Sequence, residues 1–226
     1  MVLDLIINFN NGLDWNEINQ ATLDTLFMLG FAAFFSTLIG IPVGLLLFLS
    51  GNGKPLQNRL IYNIISFIVN VLRSVPFIIL LIVMIPTTTM LVGTSLGAKG
   101  AIPPLVIGAF PFFARLVENA LKEIDSGIFH MAHSCGATTW QIVRYILLPE
   151  IMPNLIASIT VTTITLVSYT AMAGTIGGGG LGDLAIRYGY QRFQTDVMAI
   201  TVILLIVMVQ LIQLIGDLLV RIIRKK

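Results

Sequence analysis

Few residues in this chain are arranged for chemistry. His130 and His133 stand three apart, a spacing that could place two imidazoles on one helix face. A zinc site needs about four ligands, and no cysteine or carboxylate nearby completes the set. Gly177-Gly178-Gly179-Gly180-Leu181-Gly182 satisfies G-x-G-x-x-G. That pattern cradles a dinucleotide only between a strand and a helix, whereas here an apolar helix-length stretch precedes it. The expected role of these glycines is to stop that helix and let backbones approach closely. Gly51-Asn52-Gly53-Lys54 and Gly97-Ala98-Lys99-Gly100 lack the P-loop spacing. Cys135 is the single cysteine, with no base implied beside it, and reads as a small packed residue. No serine, histidine and carboxylate set lies within an apolar stretch. Direct catalysis by this chain, and a metal or cofactor bound by it, are therefore not expected.

The elements around these residues belong to a membrane. Of 226 residues, 56% are hydrophobic and 11% charged, with mean hydropathy +0.93. A soluble domain carries roughly twice that share of charge. The net charge of +2 provides no field to attract nucleic acid. Residues 1–24 carry Asp4, Asp14, Glu17 and Asp24 and no Lys or Arg, unlike the basic start of a signal peptide. Uncharged stretches at 25–53, 74–98, 151–182 and 197–216 each approach or exceed the ~20 residues of a span. A fifth, 100–114, continues through Arg115 and Glu118. The expectation is an all-α integral membrane protein, one domain over 1–226, with helices near 22–49, 60–85, 101–123, 151–176 and 197–220. Pro103 and Pro104 suit the first turn of the third helix. The second is expected as one long helix kinked at Pro76. Gly40 and Gly44 share a face of the first and suit close helix packing.

Basic residues orient the spans. With the C-terminus in the cytoplasm, Lys54, Arg59, Arg115, Lys122, Arg144, Arg221, Arg224, Lys225 and Lys226 fall inside. Only Lys99, Arg187 and Arg192 fall outside, so N-out and C-in is expected. Arg73 lies within a span, where an unpaired charge costs about 2.5–3.5 kcal/mol at a helix centre. Its expected partner is Glu118, with snorkelling to headgroups and an Arg115–Glu118 pair at i,i+3 as the alternatives.

Residues 124–150 are too polar to span and too patterned to be a linker. Asp125 and Ser126 can start a helix, Gly136 can end it, and Thr138 with Gln141 has capping-box spacing for a second helix over 140–148. Pro149 and Pro153 interrupt entry into the fourth span. The result is a helix, a glycine turn and a helix at the inner membrane face.

The segment His130-Met131-Ala132-His133-Ser134-Cys135-Gly136, followed after nine residues by Ile146-Leu147-Leu148-Pro149, resembles the "EAA" loop of ABC importer permeases. The glycine, the spacing and Ile-x-Leu-Pro match, while His130 and Met131 replace the family's Glu and first Ala. Val71-Leu72-Arg73-Ser74-Val75-Pro76-Phe77, Val117-Glu118-Asn119-Ala120-Leu121, Tyr169-Thr170-Ala171-Met172 and Tyr188-Gly189-Tyr190 are similar to the methionine-importer branch. The likeness covers roughly 20–224.

The resemblance implies a multi-pass subunit of the bacterial inner membrane. A second copy would complete the channel, two separate ATPase subunits would use ATP and Mg, and an extracytoplasmic binding protein would deliver methionine, including its D-isomer or close analogues. Other implied cargoes are another amino acid or small nutrient. A self-contained secondary transporter or channel is the alternative of another class, and it would be expected to show internal repeats. His130, Met131, Ala132, Gly136, Ile146, Leu148 and Pro149 would carry the ATPase contact, with Ala132 and Gly136 at closest approach. Tyr169, Met172 and Thr175, at i, i+3 and i+6, would line the pathway, with Met172 as its constriction.

Overall fold

The computed structural model describes residues 15–224, apart from the side chains of Ser126, Phe129, His130 and His133. Asp4, Asp14, Lys225 and Lys226 therefore lie outside the described residues. Every regular element among the described residues is helical. In chain order these are α1 (Trp15–Ser50), α2 (Arg59–Ser74), α3 (Phe77–Val83), α4 (Ile85–Val92), α5 (Gly97–Lys122), α6 (Ser126–Ser134), α7 (Thr139–Ile142), α8 (Leu148–Glu150), α9 (Met152–Gly174), α10 (Gly180–Leu184) and α11 (Thr195–Arg224). Two π-helical stretches, Val143–Leu147 and Ala185–Tyr190, follow α7 and α10.

Helices α1, α5, α9 and α11 are long and apolar enough to cross a membrane. A fifth span arises only if α2 and α3 are two parts of one broken span. The bend expected at Pro76 is present, but as a break of 101° between two helices and not as a kink within one helix over 60–85. Pro76 has no N–H to donate, and its ring drives Val75 out of the helical region, to φ −78° and ψ 123°. A second correction concerns α5, which begins at Gly97, so that Pro103 and Pro104 lie beyond its first turn.

The chain divides into two compact units. The first contains the described residues 15–32, 77–105 and 165–211. In it the ring of Phe77 stacks on Tyr169, 4.1 Å between centroids and 4° from parallel. Gly174 and Gly182 let α9 and α10 meet backbone to backbone: a Cβ on Gly174 would overlap Asp183, and one on Gly182 would overlap Ala171.

The second unit contains 33–76, 106–164 and the described residues 212–224. Its core joins Phe48 and Leu49 of α1 to Phe113, Val117, Ala120 and Leu121 of α5. The expected close packing at Gly40 and Gly44 is present here. A Cβ at Gly40 would come within 2.5 Å of Phe113, and one at Gly44 within 2.7 Å of the Ala114 carbonyl. Leu214, Ile215, Leu218, Leu219 and Ile222 of α11 are exposed. So continuous an apolar surface would be a liability in water, and it suits a helix solvated by hydrocarbon.

Candidate functional site

The segment expected to meet a partner lies in the second unit and is built by local capping. Asp125 opens α6, its Oδ1 accepting the Gly127 N–H at 2.8 Å. Gly136 closes it at φ +72°, a conformation that favours glycine. There the Cys135 N–H reaches the Met131 carbonyl at 3.1 Å, and the Ala137 N–H reaches Ala132 at 3.0 Å. The capping box is formed: the Gln141 N–H donates to Thr138 Oγ1 at 3.4 Å, and the Thr138 N–H to Gln141 Oε1 at 2.8 Å.

The second helix is not the regular 140–148 helix expected. Pro149 cannot donate to the Tyr145 carbonyl and would crowd it. The bonding slips to i→i−5, and the Leu148 N–H donates to Val143. This one-residue slip re-aims the side chains. Ile142, Val143 and Leu147 enter the core together with Ala132, while Trp140 is 72% and Tyr145 74% exposed.

The expected contact residues therefore divide. Met131, Gly136 and Pro149 are exposed. Ile146 and Leu148 are partly buried against the core. Ala132, expected at closest approach to a partner, is buried in the chain's own core. The side chain of His130 lies outside the described residues. Trp140 and Tyr145 did not stand out in the sequence. Their signal was two aromatics five apart in a segment otherwise reading as one amphipathic helix; Trp140 lies just before the π stretch and Tyr145 within it.

A buried charge cluster sits in the same unit. Glu118 is fully buried, and its carboxylate takes Arg115 Nη1 at 2.5 Å and Lys122 Nζ at 2.7 Å. The Tyr62 hydroxyl donates to it at 3.4 Å. Arg115 also donates to Asn70 Oδ1 at 3.0 Å and to Ser66. One guanidinium thereby fastens α2 to α5. Arg73 is exposed and belongs to none of these contacts. The expected Arg73–Glu118 pair is thus replaced by the i,i+3 alternative. Arg115 and Lys122 flank Glu118 on its own helix, whereas the break at Pro76 ends α2 just after Arg73.

Tyr169, Met172 and Thr175 fall in the first unit but do not act alike. Tyr169 is committed to Phe77. Met172 is 44% exposed. Thr175 lies past the end of α9, its hydroxyl donating to the Met172 carbonyl at 2.8 Å.

The glycine run reverses the chain beside them. Gly177, Gly179 and Gly180 take positive φ of 82°, 74° and 76°. The Gly97 N–H donates to the Gly177 carbonyl, and the Leu181 N–H to Thr25 Oγ1, each at 2.8 Å. The run follows helix α9 where the dinucleotide fingerprint requires a strand, so that fingerprint has no support here. Beyond it, Arg187 reaches Asp183 at 3.0 Å and Glu17 at 3.2 Å. Burial opposes its charge, but Asp183, Tyr188 and Glu17 together hold its pKa above the ordinary guanidinium value. Among the described residues no three metal-ligating side chains cluster.

Residues 40–226 match the family described as "Binding-protein-dependent transport system inner membrane component". The chain is 48% identical over 220 residues to the probable D-methionine transport system permease protein MetI of Vibrio cholerae, covering 95% of this chain and 98% of that one. It is 47% identical over 214 residues to the methionine import system permease protein MetP of Bacillus subtilis, covering 95% and 96%. A solved chain of the MetNI methionine ABC transporter, from a study of its inward facing conformations, superposes with TM-score 0.90 at 47% identity, covering 92% and 96%.

Proposed function

We infer that this chain, which belongs to the family of binding-protein-dependent transport system inner membrane components, is the permease through which an ATP-driven importer carries methionine. Relatives of nearly the same length are named for methionine or D-methionine transport, which supports that cargo, its D-isomer included. The observation that carries the transport mechanism is the rooting of α6, Gly136 and α7 in the core of the second unit. Ala132, Ile142, Val143 and Leu147 share that core with Phe48, Phe113 and Leu121 of the long helices. A displacement imposed on the segment passes directly into those helices, because packed interiors transmit strain.

In this reading the exposed Met131, Trp140 and Tyr145 meet an ATPase. Exposed aromatics and methionine are the residue types enriched at protein interfaces. Two ATPase subunits serve two copies of the chain. Hydrolysis of ATP with Mg belongs to those subunits, and this chain supplies no catalytic group. An extracytoplasmic binding protein delivers the cargo to the extracytoplasmic side. Each copy contributes five spans, one of them broken at Pro76, with the N-terminus outside and the C-terminus inside. Met172, exposed on α9, narrows the pathway beside the two-fold axis, since a flexible thioether seals without a strong polar well.

ATP-dependent uptake into vesicles containing the assembled complex tests this function. Radiolabelled methionine should accumulate only with ATP and with the ATPase present, and unlabelled D- and L-methionine should compete. Accumulation without the ATPase, or uptake of another solute in preference to methionine, would overturn it.

A further inference from the structure

We propose that a cavity between the start of α5 and the first turns of α1 is a binding site for a free zwitterionic α-amino acid with an apolar side chain. Asp24 takes the ammonium group and Lys99 the carboxylate. The cavity, about 410 Å³, lies wholly in the first unit and is lined by Asp24, Phe27, Thr94, Leu96, Gly97, Ala98 and Lys99. Its volume falls within the ~300–1,000 Å³ typical of small-molecule sites.

Opposite charges line this one cavity and do not neutralise each other. Among the described residues the ammonium of Lys99 makes no ion pair or hydrogen bond. Among the described residues Asp24 receives only the Gln20 amide, at 3.3 Å on Oδ1. Its Oδ2 faces Gly179, where even an added Cβ would stop 3.9 Å short of it. A carboxylate can accept several hydrogen bonds, and an ammonium offers three donors. The cavity thus presents an acceptor and a donor of opposite sign, as a zwitterion requires.

The remaining walls sort by polarity. The Thr94 hydroxyl is committed to Leu96, accepting its N–H at 3.1 Å and donating to its carbonyl at 3.3 Å. Phe27 and Leu96 are exposed apolar surfaces, suited to an aliphatic or thioether side chain. The site also touches the glycine run. Gly97 is bonded to Gly177, and a Cβ at Gly177 would press on Leu96 at 3.2 Å. A shift of that run would therefore change the cavity.

The inference takes only its choice of probe from the methionine reading. The full chain in lipid nanodiscs, without ATPase or binding protein, is equilibrated with radiolabelled methionine. Bound label is then displaced with methionine, with its decarboxylated amine and with its deaminated acid. Each truncated analogue should compete about tenfold or more weakly than methionine, the value of one lost charge-assisted hydrogen bond. Asp24→Asn should erase the preference over the deaminated acid, and Lys99→Gln the preference over the amine. No methionine binding by the unaltered chain, equal competition by all three compounds, or preferences unchanged in both variants would overturn the site. Uptake by the assembled complex is read in parallel. Uptake without binding to the isolated chain rejects this site and leaves the importer reading standing. Discriminating binding without uptake establishes the site and rejects the importer reading.

Discussion

The backbone N–H of Leu181 donates to the hydroxyl of Thr25 at 2.8 Å, a buried bond between residues 156 positions apart. The same hydroxyl donates to the Ala21 carbonyl at 2.9 Å. Thr25 is thus the latch between α1 and the glycine run, with both of its hydrogen-bonding roles in use.

Thr25→Val should leave the Leu181 N–H buried and unpaired, at a cost of about 1–3 kcal/mol. Thr25→Ser should restore most of it. Thermal denaturation of the purified chain checks the order, and hydrogen exchange should show the Leu181 amide losing protection in Thr25→Val alone.

Removing the charge of Glu118 should be far worse than removing that of Arg73. Glu118→Gln leaves Arg115 and Lys122 facing a neutral amide, and breaking a buried pair costs about 3–5 kcal/mol. Arg73→Met should lie within about 0.5 kcal/mol of the parent, as surface changes do. The double variant should show additivity, measured as detergent-stable yield and midpoint of unfolding. Rescue of Glu118→Gln by Arg73→Met would reinstate a direct pair between them.

At Gly136 the cost of a side chain is conformational. Nothing lies within 4 Å of a Cβ there, but φ is +72°. Gly136→Asn should be tolerated, since Asn adopts this region most readily after glycine. Gly136→Val should cost about 1–2 kcal/mol and leave membrane insertion intact while uncoupling ATP hydrolysis from uptake. Coupled uptake at parental rates by Gly136→Val would reject the coupling role of this turn.

The two faces of the inner segment should fail differently. Trp140→Ala and Tyr145→Ala should change stability by less than about 0.5 kcal/mol yet abolish ATPase copurification. Ala132→Leu should overpack the core at about 1–3 kcal/mol. Equal loss of stability in all three would show that the aromatic face is structural.

Met172 can be tested by crosslinking. In a Cys135→Ser background, needed because Cys135 is exposed, Met172→Cys should crosslink between two copies in one transport state. Lipid-facing reactivity in every state would remove Met172 from the pathway.

Sequence alone carried the class of the molecule, because the bilayer imposes its requirement locally. A helix must be long and uncharged wherever it crosses, whatever packs on it. Four apolar helices, the capping box of Thr138 and Gln141 and the turn at Gly136 follow from residues close in the chain. So did the likeness of residues 130–149 to a permease loop, a matter of fixed spacing. Pairings between distant residues were settled only by tertiary structure. Arg73 and Glu118 looked like partners until the break at Val75 and the reach of Arg115 and Lys122 decided otherwise. That Ala132 packs in the core beside Leu121 and Ile142 is likewise a tertiary fact. Tyr145 lies in a π slip that depends on where Pro149 falls in a packed helix. Thr25 was one hydroxyl among many, since nothing near residue 25 in the chain announces an amide at 181. Local propensity writes helices, turns and spans into the sequence. Which face is buried, and which charge meets which, depends on contacts that exist only once the helices have packed.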